Sequence, residues 1–98
     1  MQPFGTQLRN LRHDRNLSLR QLSDSVGLSR SYLLQIEQGE VPVPKYAHLT
    51  SIALGLDVPA DDLLLAAGRL PTDIYWAMVL HFQQHPDALA AVRATMTA

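Results

Sequence analysis

Arg30, Ser31 and Gln35 are the side chains of this 98-residue sequence best suited to chemistry with a polar macromolecule. An arginine fork matches the O6 and N7 acceptors of guanine, and a glutamine amide pairs with N6 and N7 of adenine. A serine hydroxyl reaches either bases or phosphates. With Ser29 just before them, these residues fall on one outer face of a predicted helix. The other candidates are poorer. His81 and His85 lie one helical turn apart and so have the spacing of a metal chelate, but the chain has no cysteine and the nearest carboxylate is Asp87, beyond a proline. No metal site and no cofactor are predicted. Serine, histidine and aspartate all occur, yet no spacing links them. Gly-x-Ser-x-Gly, a phosphate loop and His-Glu-x-x-His are all missing, so no catalysis is predicted.

The elements that must position these residues are helices. Thr6 to about Arg15 forms the first, with Leu8, Leu11 and Arg12 on one face and Phe4 one turn earlier. Ser18 and Gln21 have the spacing of a capping box, and Leu17 with Leu22 that of a hydrophobic staple, so a second helix starts there. Gly27 ends it, being the residue type that best tolerates a left-handed turn. Ser29 caps a third helix, with Leu28 and Leu33 as a second staple, and Gly39 stops it. Val41-Pro-Val-Pro44 is an extended connector. Pro44 opens a fourth helix from Lys45 to about Leu54, which Gly55 ends, with Leu49, Ile52 and Ala53 facing inward. Pro59 opens a fifth, ended by Gly68, with Leu63, Leu64 and Ala67 as its core side. Pro71 opens a sixth to about His85, and Pro86 a seventh. No alternating run of β-branched residues predicts a strand, so the fold class is all-α.

Helices two and three are separated by a short glycine-centred turn, the spacing of a helix-turn-helix. Leu22, Val26, Leu28, Leu33 and Ile36 hold the pair against the rest, and Ser23 is small where helix three passes. Leu17-Ser-Leu-Arg-Gln-Leu-Ser23 followed by Val26-Gly-Leu-Ser-Arg-Ser-Tyr-Leu-Leu-Gln-Ile-Glu-Gln-Gly39 resembles the Cro/C1 repressor type of helix-turn-helix, also called the xenobiotic-response-element family. Leu49-Thr-Ser-Ile-Ala-Leu-Gly-Leu-Asp-Val58 and Leu63-Leu64 resemble that fold's fourth and fifth helices. The resemblance spans roughly Phe4 to Gly68. It implies a five-helix, lambda-repressor-like domain that binds operator DNA, usually as a dimer. Arg30, Ser31 and Gln35 then fall where the family reads bases, and Ser29 where a phosphate is within reach. Tyr32 either meets the DNA backbone through its hydroxyl or packs between helices. Arg12 and Glu37 occupy positions that in several members form an ion pair joining helices one and three. Two positions depart from the pattern. Leu19 stands where a phosphate-touching glutamine is common, so either Arg20 takes over that contact or the contact is absent; Ser18 beside it is a further DNA-binding candidate. Leu34 stands where serine is common, either packing on the protein or meeting a thymine methyl.

The net charge is −1 and the pI about 6.4, unlike the strongly basic balance of many nucleic-acid binders. The distribution matters more. Residues 1–46 hold six Lys or Arg against four Asp or Glu, and residues 47–98 two against five. One basic, anion-facing surface is therefore predicted in the first half. The lack of cysteine excludes disulfides and fits a reducing, cytoplasmic setting. No apolar run approaches the ~20 residues of a membrane span, and the first residues do not have the pattern of a secretion signal.

The sequence divides into a DNA-binding domain over 1–69 and a helical extension over 70–98. In helix six, Ile74, Tyr75, Trp76, Met78, Val79, Leu80 and Phe82 cover most of the circumference, leaving a narrow stripe of Asp73, Ala77, His81 and Gln84. A helix apolar nearly all round is buried on more than one side, and the five-helix domain is expected to cover one of them. Helix seven adds Leu89, Val92 and Met96. Tyr75, Trp76, Val79, Leu80, Phe82, Leu89 and Val92 are the predicted dimerisation residues. The alternatives are a fold-back that enlarges one monomeric core, or a docking surface for a regulatory protein. Together these readings predict a transcriptional regulator, in the main a repressor, acting as a homodimer on palindromic double-stranded DNA. The rival is a protein-interaction module, such as an antitoxin or a partner-controlled regulator.

Overall fold

A computed structural model describes residues 2–97, and among these every regular element is a helix. In chain order they are α1 (Phe4–Asp14), α2 (Leu19–Val26), α3 (Arg30–Glu37), α4 (Tyr46–Leu56), α5 (Ala60–Ala66), α6 (Thr72–Gln84) and α7 (Pro86–Thr97). The local signals act as expected around α2 and α3. Ser18 Oγ accepts from the Gln21 backbone N–H at 3.0 Å, and the Gln21 side-chain oxygen accepts from the Ser18 N–H at 2.8 Å, closing the capping box. Gly27 follows α2 at φ 75°, a conformation that would strain any residue with a Cβ.

The core is built from α1 to α5. Leu8, Leu22, Leu33, Leu49, Ile52, Leu56 and Leu63 are fully enclosed, with Phe4, Ile36, Ala53 and Leu64 beside them. α2 packs on both α3 and α4, α1 on α3, and α4 on α5. This arrangement explains one departure from the sequence expectation. Gly55 does not end α4. The helix runs on to Leu56, and Asp57 makes the left-handed turn at φ 57°. Gly55 is needed for close approach, because a Cβ there would collide with Val26 Cγ1 and sit 3.2 Å from Leu22 Cδ1 on α2. Arg15 completes this helix end, donating from Nε to the Leu56 carbonyl at 2.9 Å and from Nη2 to that of Asp57 at 3.3 Å. A cation there offsets the orphan carbonyls of the last turn. The first helix also starts two residues earlier than its sequence signal, at Phe4, with Pro3 just before it.

The connector from Val41 to Pro44 is tied down by Arg69, which follows α5. Its guanidinium donates to the Pro44 carbonyl and, at 3.3 Å, to that of Val43. It also lies 5.4 Å from the centre of the Tyr46 ring. Tyr46 in turn donates its hydroxyl to the Leu70 carbonyl at 3.0 Å.

The second departure is in the tail. α6 and α7 pack on each other and contribute no residue to the core. The expected burial of one side of helix six against the five-helix body is not met. Trp76 is 61% exposed, and Ile74, Tyr75, Met78 and Leu80 are exposed as well. The physical reason is that α1 to α5 close the core among themselves without α6, which packs on α7 instead, and Leu54 and Leu65 of the body stay exposed. The long dimension of the molecule, 49 Å against 26 and 22 Å, reflects this tail.

The approach of α4 to α2 is directly testable. An alanine at position 55 gains up to about 1 kcal/mol of helix propensity. It must also displace Val26, whose branched side chain is stiff, and the enclosed Leu22. Gly55→Ala is therefore expected to lower stability by a net 1–2 kcal/mol or about that much, read from the urea unfolding midpoint.

Candidate nucleic-acid interface

The position of α3 is set by its buried face and its two ends. Leu33 and Ile36 point into the core, and Ser23 Oγ donates to the Leu28 carbonyl at 2.5 Å, drawing the turn onto α2. At the start, Ser29 Oγ accepts from the Tyr32 N–H at 3.1 Å. At the far end Glu37 is buried, and Arg12 of α1 meets it with two parallel bonds, Nε to Oε2 at 2.7 Å and Nη2 to Oε1 at 2.9 Å. Arg12 Nη1 also donates to the Leu17 carbonyl at 2.9 Å. One guanidinium thus joins α1, the segment leading into α2, and the end of α3. The hydrogen bonds that Arg12 donates to Glu37 raise its pKa above the ordinary value, with burial opposing and charge attraction assisting. The two side chains form the ion pair between the first and third helices that the family resemblance implied.

The opposite side of α3 faces solvent. Ser29, Arg30, Ser31, Leu34 and Gln35 are exposed, and so is Gln38 just past the helix. Ser18, Leu19 and Arg20 at the start of α2 border the same open groove as Ser29, Arg30, Ser31 and Leu34. Among the described residues Arg20 and Arg30 enter no ion pair. The first turns of α2 and α3 therefore place two uncompensated guanidinium groups and two capping serines around one shallow depression. Hydroxyls and backbone N–H groups at such helix starts suit an anionic ligand. The predicted residues Ser18, Arg20, Ser29, Arg30 and Ser31 thus border one groove, and Gln35 is exposed on α3 one turn after Ser31 without lining it. Tyr32 stands apart from them. It is partly buried on the flank of α3, its ring edge-on to His48 of α4 with centroids 5.7 Å apart. Arg15 is also elsewhere, committed to the end of α4.

Of the predicted tail residues, Tyr75, Trp76, Leu80 and Val92 are exposed, while Val79, Phe82 and Leu89 are partly buried. His81 and His85 lie side by side with ring centroids 4.7 Å apart. Among the described residues no group of three or more His, Cys, Asp or Glu side chains is placed to hold a metal ion. No helix among them is long and apolar enough to cross a membrane.

This geometry, two helices crossing at a glycine turn with the second one's polar face outward, defines a helix-turn-helix protein. A family model described as a helix-turn-helix domain matches residues 3–66, and the chain belongs to that family. Its five-helix body is of the Cro/C1 type. Two Bacillus subtilis (strain 168) proteins are similar to it. The uncharacterized HTH-type transcriptional regulator RghRB is 41% identical over 70 residues, which cover 71% of this chain and 50% of RghRB. The HTH-type transcriptional repressor RghR is 40% identical over 70 residues, covering 71% and 52%. The chain spans about half the length of these relatives. Among solved structures, SinR, the master regulator for biofilm formation, in complex with DNA has a TM-score of 0.58 at 30% identity, over 62% of this chain and 97% of that one. A complex of SinR with SinI has a TM-score of 0.58 at 21% identity over 97% of this chain and 99% of that one. This last likeness concerns the fold, and it extends across α6 and α7.

Because the Arg12–Glu37 pair is desolvated, removing one partner leaves the other charge buried. Arg12→Met is expected to lose about 3–5 kcal/mol of unfolding free energy. Replacing both, Arg12→Met with Glu37→Leu, should restore most of that loss in the same denaturant titration.

Proposed function

We propose that this chain is a DNA-binding transcriptional regulator that represses by occupying a palindromic operator as a homodimer. The outer face of α3 carries this reading. Arg30, Ser31 and Gln35 stand exposed on a helix whose other side is locked into the core, so their side chains are available to base edges. α3 enters the major groove and α2 lies across the backbone. Arg20 and the serines at the two helix starts meet phosphates, fixing the register in which Arg30 and Gln35 read bases. Bound protein then obstructs polymerase. The names of RghR as a repressor and of SinR as a regulator crystallised with DNA support the same class of activity for this chain. With a net charge of −1, affinity rests on this local cationic rim and not on a diffuse basic surface.

The homodimer is supported by the tail. Ile74, Tyr75, Trp76, Met78 and Leu80 leave an apolar face uncovered by the chain's own body. Aromatic anchors such as Trp76 commonly dominate interface energy. A single recognition helix covers only a few base pairs, and two half-sites about one DNA turn apart supply the missing specificity.

Selection of bound duplexes from random DNA at a stated salt concentration tests the reading. The expected outcome is one enriched palindrome, and binding indifferent to sequence would sink it. On that operator, Arg30→Ala and Gln35→Ala should each cost about 1–3 kcal/mol and relax preference at one or two positions. Equal losses on matched and mismatched duplexes would assign both residues to the backbone. Sedimentation equilibrium at micromolar concentration should give a dimer that Trp76→Glu converts to a 10.9 kDa monomer with weakened operator binding. A 10.9 kDa species for the intact chain, still binding tightly as a single copy, would exclude the homodimer and leave the tail to a different protein.

A further inference from the structure

The two residues that depart from the family pattern, Leu19 and Leu34, border one groove. They lie on different helices, fifteen positions apart, yet both line the groove between the starts of α2 and α3. Leu34 is 39% exposed, the one large apolar side chain on the solvent face of α3. Its neighbours there are polar: Arg30 and Ser31 one turn before it, Gln35 next to it, and Gln38 one turn after it. Leu19 is partly buried and forms the apolar side of the same depression, while Ser18, Arg20 and Ser29 form its polar rim. Leu34 lies outside the enclosed core, since the buried face of α3 is supplied by Leu33, Ile36 and Glu37, and on its other side it borders a small depression with Arg9, Arg12, Glu37 and Gln38.

We propose that Leu34, backed by Leu19, is a specificity-determining residue that reads the 5-methyl group of a thymine. The inference rests on the DNA-binding reading above and names a further element of the same site. In the major groove the thymine methyl is the only apolar feature of a base edge, and apolar side chains recognise it by contact. A leucine held between an arginine and a glutamine that read neighbouring bases is brought to base-edge depth by their contacts. Its branched end then covers the methyl, and Leu19 closes the far side against water. Hydrogen-bond readout by Arg30 and Gln35 is thereby supplemented at a position where no hydrogen bond distinguishes thymine from uracil.

The test uses the full chain and the duplex it selects from random DNA. Each thymine of one half-site is replaced in turn by deoxyuridine, which removes the methyl and keeps the pairing. At one position, binding by the unaltered protein should weaken about fourfold, the equivalent of one methyl buried. Leu34→Ala should bind the thymine duplex more weakly and should no longer distinguish it from the uracil duplex at that position. Because Leu34 lies outside the enclosed core, the variant should still melt cooperatively and well above the temperature of the binding assay, which separates the effect from unfolding. If thymine and uracil duplexes bind the parent alike at every position, or if Leu34→Ala keeps the full discrimination, the methyl-reading role is overturned while operator binding stands. If no duplex is enriched, the DNA-binding reading and this role fall together.

Discussion

A single buried guanidinium holds the domain in register. Arg12 is shielded from solvent with Glu37, and between them they join the first helix to the end of the third and to the segment that starts the second. Two charges removed from water are costly, and the cost is offset only by good geometry and by satisfying the remaining donors. Here the fork is met by both carboxylate oxygens and its third contact by a backbone carbonyl. A hydrophobic pair of similar volume would stabilise as well or better, but it would not specify angle and register. The outward face of α3 can present an ordered row of side chains because its inward face has one permitted position.

Around that pair the body is economical. Five short helices enclose one layer of leucine and isoleucine, and each helix buries only a few residues. Close approach takes the place of bulk, with α2 resting on Gly55 of α4 where a methyl group would not fit. Polar side chains finish the ends the core cannot reach. Arg15 covers the last carbonyls of α4, and the serines at the starts of α2 and α3 take up backbone N–H groups. These same serines border the cationic groove, so the parts that begin the helices also furnish the surface offered to an anion.

Much of this is legible in the sequence because its causes are local. Ser18 with Gln21, and Ser29 before its helix, announce their helix starts within a few residues, and the apolar spacing of Leu22, Leu33 and Ile36 fixes which sides face inward. The outward placement of Arg30, Ser31 and Gln35 follows from the same periodicity. The failures have non-local causes. Gly55 reads as a helix stop, since nothing nearby in sequence reveals that Val26 crosses over it. The clamp of Arg69 on the carbonyls of Val43 and Pro44 joins positions about 25 apart, and no pattern forecasts it. That Leu19 and Leu34 border one groove requires the crossing of two helices. The all-round apolar character of α6 matches its exposed apolar side chains, but composition does not say that α6 packs on α7 and not on the body.

The Arg69 clamp has a geometric consequence. It fastens the root of the α6–α7 arm to the connector that leaves α3, and Tyr46 secures the same junction through the Leu70 carbonyl. The chain is therefore fastened to the body as far as Leu70, just before α6 begins. If two copies meet through their arms, the distance and twist between their reading heads are built into each copy before any DNA arrives. Such a pair works as a caliper. On the proposed homodimer reading it would grip two half-sites at one separation and lose its hold when a base pair is inserted between them, since each added step both lengthens the gap and rotates the second half-site around the helix axis. Spacing would then discriminate among sites alongside the bases themselves, at the expense of two hydrogen-bonded carbonyls far from the groove.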